Sequence, residues 1–473
     1  MKRLLSLMLV MVMLLSVGTE VFAASTGWKD ITVKDRVRWE NGSINLKELG
    51  INIDEIIGFD ILRGNKRDKV YFSLENDKVE FETELKLNTD YTLRVITEND
   101  KINVNFKTED LPDIKETGEV IVVKVPAMPE KGFKWPYYLR IPSNDYKGEF
   151  GNAKSKRYLI VDTANSGSGR LETTEFWVKD QLIDRGQLSV HISEQLWAPM
   201  IMPVFPNTNT GYYDEKQLGK LDEIYNFVYE NSYDRDVVML KSLMKDEKIA
   251  EQLVKGYGKY NHKVEDFYDL GEQLNAMFDH AVEYLNKYGH NVETDKMFFC
   301  GFSASGAFGN RFSTLYPEKV KAVFAGAAED DFMLPVSEYK GENLIYPIGT
   351  YDYKEITGKE FNLEQHNSVA RLYHNGYNDT NDTVTSIDCF GEIERKIIEK
   401  LFSLDMRKRG NAMTKLYGES GAKGAFVIDM EAAHNTSREM NEYILEFFLA
   451  NRDSDKPVYP DIKTNKLKAT VFK

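Results

Sequence analysis

The chain has 473 residues, more than one typical domain, and two domains are expected. Its 75 acidic residues outnumber 61 basic ones, a net charge of −14, which argues against nucleic acid or an anionic membrane surface as partners. Two cysteines, Cys300 and Cys389, exclude a disulfide framework.

Residues 1–23 read as a secretory signal peptide. Lys2 and Arg3 precede an apolar run over 4–17, and Val21-Phe22-Ala23 offers a small-residue cleavage site. A predominantly apolar run of fourteen residues is short for a bilayer span, so export rather than membrane insertion is expected. The expected location is secreted or extracellular, with the bacterial cell surface as a variant of it.

Residues 26–112 carry β patterning. Tyr91, Leu93 and Val95 alternate, as do Ile102, Val104 and Phe106, with 98–101 as the turn. The spacing Leu85-x-Leu87-x-Thr89-x-Tyr91 resembles the tyrosine corner of immunoglobulin-like and fibronectin type III sandwiches. An all-β sandwich domain is expected here, either packing against the rest or contacting a polymer or cell surface. A linker over 111–118 follows.

A second, larger domain is expected over 119–452. Strand patterns at 120–125, 137–141, 157–164 and 200–205 alternate with helical ones, which predicts a mostly parallel sheet. Asn165-Ser-Gly-Ser-Gly169 forms a glycine loop after the 157–164 strand. The interval 207–268 exceeds what one crossover needs and is rich in tyrosine; a lid insertion is expected, with a peripheral decoration as the alternative. Leu274, Met277, Phe278, Ala281 and Leu285 then mark a helix.

The apolar run 296–300 leads into Gly-Phe-Ser-Ala-Ser-Gly over 301–306, and a helical pattern follows until Pro317. Strand, tight turn and helix define a nucleophile elbow centred on Ser303. The usual pattern is Gly-x-Ser-x-Gly; here Ser305 takes the last place and Gly306 follows. A serine hydroxyl is a poor nucleophile alone, so a base and an orienting acid are required.

Chain order supplies candidates, because elbow enzymes present Ser, then Asp or Glu, then His. His434 lies between a short strand at 425–428 and a helix marked by Met440, Tyr443, Ile444, Phe447 and Phe448. That loop is where the base is expected. The acid is expected at Asp379, in Gly376-x-x-Asp379, with Asp382 as the alternative and Asp330 or Asp352 as more distant ones. A calcium loop at 379–382 lacks the glycine it needs. The oxyanion donors are expected from Ala304, Asn165 and Ser166. His374 reads as a structural strand-end histidine. The polar, Lys-rich segment 453–473 is read as a tail.

Taken together, 119–452 resembles the α/β-hydrolase superfamily. Beyond the elbow, the likeness rests on Ala198-Pro-Met-Ile-Met-Pro-Val-Phe-Pro206, Ser232-Tyr-Asp-Arg-Asp236 and Pro317-Glu-Lys-Val-Lys-Ala322. Within that superfamily it is similar to secreted bacterial esterases of the polyhydroxybutyrate-depolymerase type. The resemblance implies an α/β-hydrolase fold and a serine hydrolase cleaving carboxylic esters, polymeric ones included, without cofactor or metal. A serine peptidase on the same fold and a non-catalytic surface-binding protein are the alternatives.

Overall fold

The computed structural model describes residues 27–115, 118–144, 156–163, 171–183, 186–205, 263–327, 332–385, 390 and 392–473. The expected signal peptide lies outside the described residues, as does all of the expected lid except 263–268. Among the described residues, no helix is long and apolar enough to cross a membrane.

The chain divides into two compact units, Met1–Leu111 and Pro112–Lys473. In the first, strands Asp90–Thr97 and Lys101–Lys107 pair antiparallel, with Tyr91 opposite Phe106, Leu93 opposite Val104 and Val95 opposite Ile102. The alternation read in the sequence is the reason: each of these six side chains is buried, while their neighbours are part-exposed. Tyr91 stacks on Phe106 at 5.5 Å, and its hydroxyl accepts the Lys86 N–H at 3.1 Å. Strand Lys29–Thr32 joins the same sheet parallel to Lys101–Lys107.

The second unit is mixed α/β and built on one nine-stranded sheet. Its strands are β1 (Ile121–Val125), β2 (Tyr137–Ile141), β3 (Ile160–Val161), β4 (Met200–Pro203), β5 (Met297–Phe302), β6 (Val320–Gly326), β7 (Ala370–Gly376), β8 (Gly424–Asp429) and β9 (Leu467–Phe472). The order across the sheet is 1-2-4-3-5-6-7-8-9. Strands β3 to β8 are mutually parallel; β2 and β9 run against them, and β1 pairs antiparallel with β2. The central strands are continuous apolar runs because neither face meets water: every residue of β6 is buried, and every residue of β5 except Phe302.

Helices α1 (Leu171–Ile183), α2 (Leu188–Gln195), α3 (Leu270–Lys287), α4 (Ala304–Leu315), α5 (Glu392–Leu401), α6 (Met406–Glu419) and α7 (Arg438–Asp453) lie between the strands. Helix α3 buries Leu274, Met277, Phe278, Ala281 and Leu285, and α7 buries Met440, Tyr443, Ile444, Phe447 and Phe448. These are the positions that the helical period selects.

The segment after 452 is not a tail. It returns as β9 and pairs with β8 from Gly424–Phe472 to Asp429–Leu467. Leu467 is buried, and Lys468 alternates with it on an edge strand, where a lysine discourages pairing with a further chain. Lysine content made this stretch look like solvated coil.

Candidate active site

Parallel strands collect the ends of β3, β5, β7 and β8 on one edge of the sheet, the edge where such folds place their ligands. Ser303 follows β5 directly. Its backbone sits at φ 60°, ψ −127°, a conformation rarely adopted by a residue with a side chain. Holding it costs on the order of 1–3 kcal/mol, so the surroundings must fix it. The Ser303 N–H donates to the Gly326 carbonyl on β6 at 2.9 Å, and its own carbonyl accepts the Ala307 N–H at 3.0 Å. Gly306 lets α4 lie this close to β6: a Cβ there would stand 2.4 Å from the Gly326 oxygen. The close-approach glycine is thus one place later than in the usual elbow.

His434 sits on the loop between β8 and α7. Its Nε2 is 3.0 Å from Ser303 Oγ, and its Nδ1 is 2.8 Å from Asp379 Oδ2. The carboxylate can only accept, so Nδ1 carries the proton and Nε2 is left to accept from the serine hydroxyl. The Asp379 side chain is 2% exposed and that of His434 35%, so the bond between them is shielded while the ring reaches the surface. Phe302 meets the imidazole edge-on at 5.2 Å. Burial pushes the Asp379 carboxyl up, but the His434 hydrogen bond and the Asn381 N–H outweigh it and hold it below the ordinary value.

Local chain geometry explains both placements. The Asp379 N–H returns to the Gly376 carbonyl at 3.1 Å, closing the Gly-x-x-Asp turn. Asp429, at the end of β8, brackets the histidine loop: its carboxylate accepts the N–H groups of Glu431 at 3.2 Å and Ser437 at 2.9 Å. Ser437 then caps α7 by accepting the Met440 N–H at 3.2 Å. A further strut, from the Asn378 N–H to the Ala432 carbonyl at 2.9 Å, ties the two loops together.

Asp382 faces elsewhere. Its Oδ1 accepts Arg409 Nη2 at 2.6 Å and the N–H groups of Val384 and Thr385. Asp352 is committed to the Tyr346 N–H at 2.9 Å, and Asp330 lies outside the described residues. Ala304 opens α4 directly behind Ser303, so its N–H belongs to the first turn, whose donors have no acceptor within the helix. Asn165 and Ser166 lie outside the described residues. His374 is fully buried on β7, and burial pushes its imidazole down to about 4.

Asn381 was not singled out in the sequence. It donates its backbone N–H to Asp379 Oδ1 at 2.9 Å and brings its amide nitrogen within 3.3 Å of His434 Nε2. The Asp-x-Asn spacing at the end of a strand, which favours a side-chain-to-backbone turn, is the signal that could have flagged it.

No protein-family model matches the chain, and no curated protein matches it. Solved structures similar to it include LpqC, a poly(3-hydroxybutyrate) depolymerase from Bordetella parapertussis. The identity is 10% and the TM-score 0.37, covering 73% of this chain and 92% of that one. An S-formylglutathione hydrolase from Agrobacterium tumefaciens aligns at 8% identity and TM-score 0.35, over 72% of this chain and 98% of that one. A ferulic acid esterase aligns at 12% and 0.32, over 72% and 98%. Likenesses this distant carry no residue roles, so the functional reading rests on the chain's own side chains.

Proposed function

We propose that this chain is a secreted serine hydrolase of the α/β-hydrolase type that cleaves carboxylic esters. The observation that carries the reading is the continuous hydrogen-bonded line Ser303 Oγ, His434 Nε2, His434 Nδ1, Asp379 Oδ2. It appears in the chain order Ser, Asp, His on a strand–turn–helix elbow.

In the proposed reaction, Ser303 Oγ attacks the ester carbonyl carbon while His434 Nε2 takes the hydroxyl proton. The tetrahedral oxyanion is met by the Ala304 N–H, in the positive field of the α4 N-terminus. Asp379 stabilises the imidazolium without itself becoming protonated. His434 returns the proton to the leaving alkoxide, which departs as the alcohol. Water then attacks the acyl-enzyme by the same path, giving the carboxylic acid and regenerating Ser303. Asn165 and Ser166 remain the proposed companions of Ala304.

The amino-terminal unit is read as an immunoglobulin-like sandwich domain, a reading supported by the bond between Lys86 N–H and the Tyr91 hydroxyl. A panel of p-nitrophenyl esters of rising acyl length tests the activity. Saturable hydrolysis that Ser303→Ala abolishes supports it; no turnover of any ester by folded protein contradicts it.

A further inference from the structure

Asp162 closes β3, and its carboxylate is buried where two helices begin. Oδ1 accepts the Ser305 hydroxyl and, at 2.9 Å, the Thr163 N–H; Oδ2 accepts the Ser189 hydroxyl at 2.5 Å. The same Thr163 N–H reaches Ser305 Oγ at 3.1 Å, so Ser305 both donates to the strand end and accepts from it. Ser305 is the second residue of α4 and Ser189 the second of α2. One carboxylate thus sits between two helix N-termini, where negative charge is favoured. Asp162 is 3% exposed and Ser305 0%. Burial pushes the Asp162 carboxyl up to about 6, against the pull of these donors.

Ser305 occupies the place that the usual elbow gives to glycine. A glycine there has no side chain with which to bond. In this chain the hydroxyl is used, two residues from a Ser303 backbone in a conformation that only its surroundings can hold. One clamp on that backbone is the Gly326 and Ala307 pair already described. The other side of the elbow is held to β3 through Ser305.

We infer that Asp162 and Ser305 are positioning residues for the nucleophile, a side-chain tether from β3 to the elbow that keeps Ser303 Oγ in line with His434. This rests on the serine-hydrolase reading. The tether makes no contact with substrate. Its loss displaces the nucleophile by a fraction of an ångström rather than altering the substrate pocket.

The test uses the full chain with Ser305→Ala, Asp162→Ala, the double variant and Asp162→Asn. Hydrolysis of p-nitrophenyl acetate and the rate of inactivation by a small fluorophosphonate are measured well below each melting temperature. A 1 Å misplacement costs about 10²-fold, so each alanine variant should lose on the order of tenfold in kcat. KM should stay within about twofold, and inactivation should slow by the same ratio as kcat. The double variant should be no slower than the slower single, because both cut one tether. Asp162→Asn can still accept from Ser305 and Thr163 through its oxygen while its amide donates to Ser189, so it should recover most of the turnover.

A purely structural pair would lower the melting temperature and leave kcat untouched in the folded variants; that result overturns the inference. Should Asp162→Ala not fold, Ser305→Ala and Asp162→Asn carry the test. The first slow and the second fast supports the tether; equal rates, fast or slow, overturn it. If the wild type neither turns over esters nor reacts with the fluorophosphonate, the hydrolase reading itself has failed and the tether falls with it.

Discussion

Gly376 lies so close to Ala433 that a Cβ at position 376 would stand 1.9 Å from the Ala433 carbonyl oxygen. The histidine loop therefore rests on the end of β7, and the glycine is what allows the approach. Gly376→Ala should push the loop outward and open the His434–Asp379 and His434–Ser303 contacts together. A kcat loss on the order of 10²-fold is expected, with a native-like circular dichroism spectrum. Unchanged kcat in the folded variant would mean that the loop tolerates the displacement.

The two aspartates separate by mechanism. On the proposed mechanism, Asp379→Asn takes away the carboxylate that fixes the imidazole tautomer, a loss that typically costs on the order of 10⁴ in kcat. Its melting temperature should move far less than its rate. Asp382→Ala leaves the buried Arg409 guanidinium without its carboxylate, 2.6 Å away, and should cost about 3 kcal/mol of stability. Chemical denaturation and steady-state kinetics on both variants check the assignment; the opposite ranking in kcat would move the acid to Asp382.

Much of this site was legible in the sequence, and the reason is local. Ser303 is marked by an apolar strand, small flanking residues and a helix within twenty positions. His434 is marked by the strand before it and the helical period after it. Asp379 and Asp382 are three residues apart and chemically alike. Their different partners, His434 for Asp379 and Arg409 for Asp382, come from 55 and 27 residues further along the chain. The pairing of Asp162 with Ser305 spans 143 residues and leaves no periodic trace. The ninth strand was hidden because an edge strand carries lysines that look like coil.

Backbone strain at Ser303 has a measurable sign. Ser303→Gly and Ser303→Ala should both lack ester hydrolysis. Glycine adopts φ 60° without steric cost, whereas alanine keeps the Cβ. The glycine variant should therefore be more stable than the alanine variant, by about 1 kcal/mol after its greater unfolded-state entropy is counted. Equal stabilities would indicate an unstrained turn.

His374 gives a pH prediction. Burial lowers its imidazole from 6.5 to about 4 in the folded chain. Between those values the unfolded chain binds the extra proton, so stability rises with pH across the window and falls on acidification. The term is fully present above the unfolded value and amounts to roughly 3 kcal/mol. Asp162, raised to about 6 by burial, has the opposite slope between 3.8 and 6, so only a difference curve isolates the histidine. His374→Phe, placed against Phe302 and Phe324, should lose that acid limb relative to wild type. Parallel stability curves from pH 4 to 7 would contradict the buried neutral imidazole.

The central claim is that His434 and Asp379 activate Ser303, and covalent labelling reads it most directly. A fluorophosphonate probe should attach to wild-type protein at Ser303, located by mass spectrometry of the labelled peptide. Labelling should vanish in Ser303→Ala and slow steeply in Asp379→Asn, with both variants folded. A label on Ser305 or another serine, or none on folded wild type, would contradict the account.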